Sequence, residues 1–128
     1  MSDKRILGVT ALYPVIAVAN PNETALAFSA VLPINAVFES DWFVQLNSAD
    51  NRMQLGLVRF DHTSVPEGWR QPVAGAFVTV DVEDVSAAWA QQGQNLDIVH
   101  PLTDEEWGQR HFIARLPGNV LVDFVQML

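Results

Sequence analysis

The chain has 128 residues, 49% of them hydrophobic and 17% charged, with seven Lys plus Arg against fifteen Asp plus Glu and a net charge of −8. That is the composition of one globular domain rather than a disordered segment, and its acidic balance argues against nucleic acid or an anionic membrane as partner, since both need clustered cations. The absence of cysteine removes disulfides, thiolate metal sites and a cysteine nucleophile.

Residues 1 to about 11 read as an arm without a sustained apolar core, and no apolar run approaches the length of a membrane span, so a soluble cytoplasmic protein is expected. Tyr13 to Val18 is rich in β-branched residues and predicts a strand. Asn20 makes a helix N-cap, with Pro21 at the first helical position and Glu23 at the third, so a helix should run to Val31 and end before Pro33. Three short strands follow, at Ala36 to Glu39, Trp42 to Leu46 and Met53 to Phe60. Residues 61–74, with Pro66 and Gly68, read as a connector. Then comes a strand from Phe77 to Val82, a helix capped by Asp84 and stopped by Gly93, and a strand from Leu96 to Val99. After the acidic segment Asp104-Glu105-Glu106, Gln109 to Leu116 and Val120 to Met127 flank a Pro117-Gly118-Asn119 turn.

The order β-α-β-β-β therefore occurs twice. Val18 and Val82 lie 64 positions apart, and Trp42 and Trp107, each after an acidic turn, lie 65 apart. A repeat this long is a strand and helix module, and two such modules, about 11–60 and 75–128, would make a single α+β domain with a cavity between half-sheets. Because side chains alternate along a strand, Pro14, Ile16, Val18 and Val78, Val80, Val82 should face the helices. The opposite faces, Tyr13, Val15, Ala17 and Phe77, Thr79, Asp81, have the mixed character of a cavity lining or of solvent exposure.

The ordered set Asp104-Glu105-Glu106-Trp107-Gly108-Gln109-Arg110-His111-Phe112, Leu116-Pro117-Gly118-Asn119 and Val122-Asp123-Phe124-Val125-Gln126, with the duplication, resembles the vicinal oxygen chelate superfamily. That superfamily includes glyoxalase I, the bleomycin resistance proteins, extradiol dioxygenases and fosfomycin resistance enzymes. The resemblance spans Tyr13 to Gln126 and implies a glyoxalase-like fold of paired modules, a curved mixed sheet enclosing a cleft, and a homodimer. It also implies a divalent metal held by a His from each leading strand and a carboxylate from each final strand. Here the His positions fall on Tyr13 and Phe77, seven residues before Asn20 and Asp84, and the segment Met53 to Arg59 contains no acid. Only Asp123 matches a ligand position. His62, His100 and His111 do not fall where ligands are expected. No cofactor is therefore expected, a divalent metal is disfavoured, and the implied function is metal-independent binding of a small antibiotic- or metabolite-like molecule. The alternative is a lyase, isomerase or dioxygenase relative with Asp123 as acid or base.

Asp123 stands on the otherwise apolar face Leu121, Val125, Met127, where a carboxylate must be hydrated, paired or protonated. It is either a cavity-floor acid or a structural group satisfied by Arg110, Arg59 or backbone amides. Arg110 either clamps an anionic ligand or pairs with Glu105 or Glu106, while His111 is either a general base or a satisfied core residue. Those three are the candidate catalytic residues. Tyr13, Trp42, Phe43, Phe77, Thr79 and Trp107 are the candidate ligand contacts, with packing as the plainer role of both tryptophans. Trp69, in the connector, would cover the cleft or a dimer contact, and the acidic segment would be a solvated turn.

Overall fold

A computed structural model describes residues 3–128. Both helices start where a polar side chain replaces a missing backbone partner. Asn20 accepts a hydrogen bond from the Glu23 N–H at 3.2 Å and opens α1 (Pro21–Val31); Asp84 accepts from the Ala87 N–H at 3.1 Å and opens α2 (Val85–Gln92). Around them run β1 (Val15–Val18), β2 (Asn35–Glu39), β3 (Phe43–Asn47), β4 (Gln54–Arg59), β5 (Phe77–Asp81), β6 (Asp97–Asp104), β7 (Gln109–Leu116) and β8 (Val120–Met127).

Two strand boundaries differ from expectation by more than one residue, each for a local reason. β1 begins at Val15 rather than Tyr13, because Pro14 has no N–H for the ladder, although its carbonyl still accepts from the Gly56 N–H at 3.0 Å. β6 continues to Asp104, well beyond Val99. It is an edge strand with register irregularities between Ile98 and His100 and between His100 and Thr103, which is where a sheet tolerates a residue such as Pro101. Gly93 does cap α2, but with φ −58° it needs no left-handed backbone. A Cβ there would lie 2.6 Å from the Trp89 carbonyl oxygen, so close approach explains the glycine.

The strands form two mixed four-stranded sheets of identical plan, β1-β4-β3-β2 and β5-β8-β7-β6, in which β1–β4 and β5–β8 are parallel and the other pairs antiparallel. One continuous core joins them. Val18, Phe28, Leu46 and Leu57 of the first module are fully buried with Phe112 and Val122 of the second, and Ile16, Val78, Val80 and Val82 pack against this cluster as strand alternation predicts. The Phe112 and Phe124 rings stack at 4.8 Å and Trp89 meets Phe112 edge-on at 5.1 Å. A polar link also crosses between modules: the buried Thr24 hydroxyl donates to the Pro117 carbonyl at 2.7 Å. That contact requires glycine at position 118, where φ is +89° and a Cβ would stand 2.6 Å from Thr24 Oγ1.

Candidate functional site

The register makes the outer faces of the two sheets directly comparable. Val15 pairs with Gly56 in the first module as Thr79 pairs with Asp123 in the second. Continuing across, Gln45 opposite Gly56 corresponds to Ile113 opposite Asp123, so Phe43 occupies the place of His111. One strand further, Phe38 opposite Gln45 corresponds to His100 opposite Ile113. This register aligns Trp42 with Arg110, not with Trp107 as sequence spacing suggested, because Trp107 lies in the β6–β7 turn.

In the second module, four titratable groups on this face touch one another. Asp123, 6% exposed, places Oδ1 2.8 Å from Nδ1 of His111, itself 5% exposed. His111 Nε2 is 2.9 Å from Glu105 Oε2, and His100 Nε2 lies 3.2 Å from the same oxygen. That second approach is too bent for a hydrogen bond and leaves the buried His100 Nε2 without a partner among the described residues. Burial pushes the His111 pKa down, but the hydrogen bonds to Glu105 and Asp123 outweigh it and hold the imidazole above the ordinary histidine range. The bond to His111 holds the Glu105 carboxyl below its usual range. Glu105 is itself fixed by the turn: its N–H donates to the Gln109 carbonyl at 2.7 Å, and its carbonyl accepts from the Gly108 N–H at 3.0 Å.

In the first module the same face carries Gln45 and Asn47, bonded to each other at 2.9 Å, and is otherwise apolar around Phe43. Val15, Ala17, Trp42, Phe43 and Val58 line a cavity of about 530 Å³, over which the connector folds Ser64, Val65, Pro66 and Trp69. The Trp42 ring stacks on His62 at 3.7 Å with 7° between planes and lies 5.8 Å from Phe43, so one connector side chain fixes the tilt of the pocket wall. A second cavity, about 560 Å³, runs between the modules and is lined by Leu12, Pro14, Phe28, Phe77, Thr79 and Val80 among others.

The expected site residues therefore divide. Trp42 and Phe43 share the first-module pocket, Phe77 and Thr79 line the intermodule cavity, and Trp107 stands 62% exposed, edge-on to His111 with 6.4 Å between ring centroids. Tyr13 lines neither cavity. Arg110 faces away from Asp123. It pairs with Asp104 at 2.6 Å and approaches Ser86 of α2, so neither Glu105 nor Glu106 is its partner. Arg59 pairs with Asp61. The partner of Asp123 is His111, a possibility sequence reasoning passed over, along with the roles of His100 and Glu105. Far from being isolated, His111 has two acidic partners, and two of the three histidines come together. A shared outer-face position at a strand bulge was the missing signal, and spacing alone does not reveal it.

The metal set implied by the resemblance does not fit this structure. Tyr13 and Phe77 stand at the leading-strand positions, and the first-module counterpart of Asp123 is Gly56. A Cβ at Gly56 would lie 2.9 Å from Val15 Cγ2 and 3.0 Å from Phe43 Cζ, so the space for a carboxylate is filled with carbon.

No family model matches the sequence, and no curated protein does. Solved structures do match over nearly the whole chain. A glyoxalase/bleomycin resistance protein/dioxygenase superfamily member from Sphaerobacter thermophilus is 17% identical, with TM-score 0.74 over 94% of this chain and 99% of its own. TioX from a Micromonospora species is 21% identical, with TM-score 0.66 over 94% and 100%. The bleomycin-binding protein of Streptomyces verticillus, solved with copper(II)-bleomycin, is 16% identical, with TM-score 0.65 over 93% and 97%. At such identities the likeness lies in the fold: this chain has the two-module α+β fold of the glyoxalase/bleomycin resistance protein/dioxygenase superfamily.

Proposed function

We propose that this protein binds and sequesters a small planar molecule, antibiotic- or metabolite-like, without a metal in the binding step. The observation that carries this reading is the first-module pocket. Three aromatic rings, Trp42, Phe43 and Trp69, and the aliphatic Val15, Ala17 and Val58 surround it, with no charged side chain among its lining residues. Such a surface recognises its ligand by apolar contact and ring stacking. A protein of the same fold that binds bleomycin supports the class of ligand.

The working unit in this proposal is a homodimer. Ile6, Leu7, Val9 and Leu12 on the N-terminal arm are 66–92% exposed and form no strand or helix. A contiguous apolar stretch of this kind is ordinarily covered by a partner, and a second copy of the chain is the occupant proposed here. Light scattering should give a dimer, and removal of the first twelve residues should shift it to monomer.

The binding reading is tested by a thermal-shift panel of bleomycin and planar aromatic compounds, run in chelator and again, without chelator, with added Cu²⁺ or Zn²⁺, each against its own ligand-free baseline. A ligand at a hundred times its Kd adds about 2.7 kcal/mol, which in a domain of this size raises Tm by about 10 °C. A shift that needs added metal, or a panel without any shift, would count against the proposal.

A further inference from the structure

Charge accounting in the second module leaves a place for a cation. A carboxylate accepts hydrogen bonds and gives none, so the His111 nitrogen facing Asp123 carries a proton. In a neutral ring the other nitrogen then presents a lone pair to Glu105 Oε2 at 2.9 Å, acceptor against acceptor. Something positive has to lie between them, either a second proton or a metal ion. A second proton on His111 would leave His100 unexplained, with a buried Nε2 at 3.2 Å from the same oxygen and no hydrogen bond. One cation held by all three groups accounts for both.

The distances suit such an ion. Two donor atoms each about 2.1 Å from a common ion, at tetrahedral or octahedral angles, lie about 3.0–3.4 Å apart, and the two contacts here measure 2.9 and 3.2 Å. All three donor atoms fall within 4.8 Å of one another. His100 reaches this face because the first irregularity in β6 sets it opposite Ile113; an unbroken register from Ile98 would have set it opposite Phe112, toward the core. Asp123 then stands behind His111 as the carboxylate that orients a metal-bound imidazole and raises its basicity.

We propose that His100, Glu105 and His111 bind a divalent first-row transition ion of the Zn²⁺, Co²⁺ or Ni²⁺ type, with Asp123 as its outer support. Two imidazoles and one carboxylate favour these ions over Mg²⁺ or Ca²⁺, which select oxygen donors. Three protein ligands leave coordination positions open to water or a small anion. The site is on the opposite sheet from the aromatic pocket and shares no residue with it, so it adds to the binding function proposed above without entering it.

The test is calorimetric titration of chelator-stripped protein with ZnCl₂, and with CoCl₂ followed by visible absorption. The expected result is one ion per chain with a Co²⁺ ligand-field spectrum, and no uptake of Mg²⁺ or Ca²⁺. His100→Ala and Glu105→Gln, both at partly exposed positions, should fold and should weaken Zn²⁺ binding at least about tenfold, and Asp123→Asn about 10–100-fold. Absence of Zn²⁺ and Co²⁺ binding by the wild type would overturn the proposal and leave His111 an imidazolium between two carboxylates. Undiminished binding by both His100→Ala and Glu105→Gln would also overturn it, by placing the ion elsewhere. Neither outcome touches the ligand-binding proposal, whose expected shift is read in chelator.

Discussion

The two modules share a strand order, a helix cap and a register, yet at four matched positions their outer faces differ in chemistry. Where the second carries Thr79, Asp123, His111 and His100, the first carries Val15, Gly56, Phe43 and Phe38. The Phe38 and Phe43 rings stand 6.3 Å apart in the position where His100 and His111 stand 4.9 Å apart. The same backbone plan therefore carries apolar residues at these positions in one module and polar residues in the other, and the duplication lets one chain hold both. Each module also tolerates its own set for a local reason: carbon fills the place of a carboxylate at Gly56, and His111 hydrogen-bonds the one at Asp123.

Importing one residue of the first set into the second should do the most damage. His111→Phe leaves Asp123 buried without its partner, and breaking a buried pair in this way costs about 3–5 kcal/mol. In urea denaturation the double variant His111→Phe/Asp123→Val should recover a large part of that loss, because the two residues are coupled. A single variant as stable as wild type would show that the two faces do not differ as described. In the opposite direction, Gly56→Ala pushes a methyl group against Val15 and Phe43 and should cost about 1–3 kcal/mol by the same measurement.

Much of this plan is legible in the sequence, and the illegible parts have a common cause. Asn20-Pro21 and Asp84 announce both helix starts, and the alternation of Ile16-Val18 and Val78-Val80-Val82 identifies the core faces, since caps and strand periodicity are local. The acidic and histidine cluster is not local. Two irregularities in β6 break the period of two, so counting from His100 to His111 assigns them to unrelated positions. Trp42 and Trp107 show the converse error: equal spacing in sequence, but one beside a strand over the pocket and the other in a turn.

Trp69→Ala separates binding from stability. The side chain is 74% exposed, so unfolding free energy should change by no more than about 0.5 kcal/mol. Loss of one stacked ring should weaken a planar ligand roughly 3–10-fold by fluorescence titration. An unchanged affinity would remove the connector from the pocket.

The smallest effect distinguishes the hairpins. The β3–β4 loop is tied by Asp50, which accepts from the Ser48 hydroxyl at 2.7 Å and from the Arg52 N–H at 3.1 Å, whereas β7–β8 closes through Pro117-Gly118-Asn119. The Ser48 bond, with the Arg52 amide, holds the Asp50 pKa below the ordinary carboxylate range. A lowered folded-state value means that its contribution is full above the unfolded pKa of about 3.9 and is lost as pH falls through the folded value. Amide exchange at Arg52 and Met53 should therefore lose protection in acid before the β7–β8 turn does, and Asp50→Asn should abolish that difference.

The separation of the two faces is tested most directly by the planar-compound thermal-shift panel run on wild type and Trp69→Ala, once in chelator and once with Zn²⁺, each against its own ligand-free baseline. At least one compound should raise Tm equally in both buffers and lose much of its effect in Trp69→Ala. A shift that appears only with Zn²⁺, or that Trp69→Ala leaves intact, would contradict a metal-free aromatic pocket in the first module.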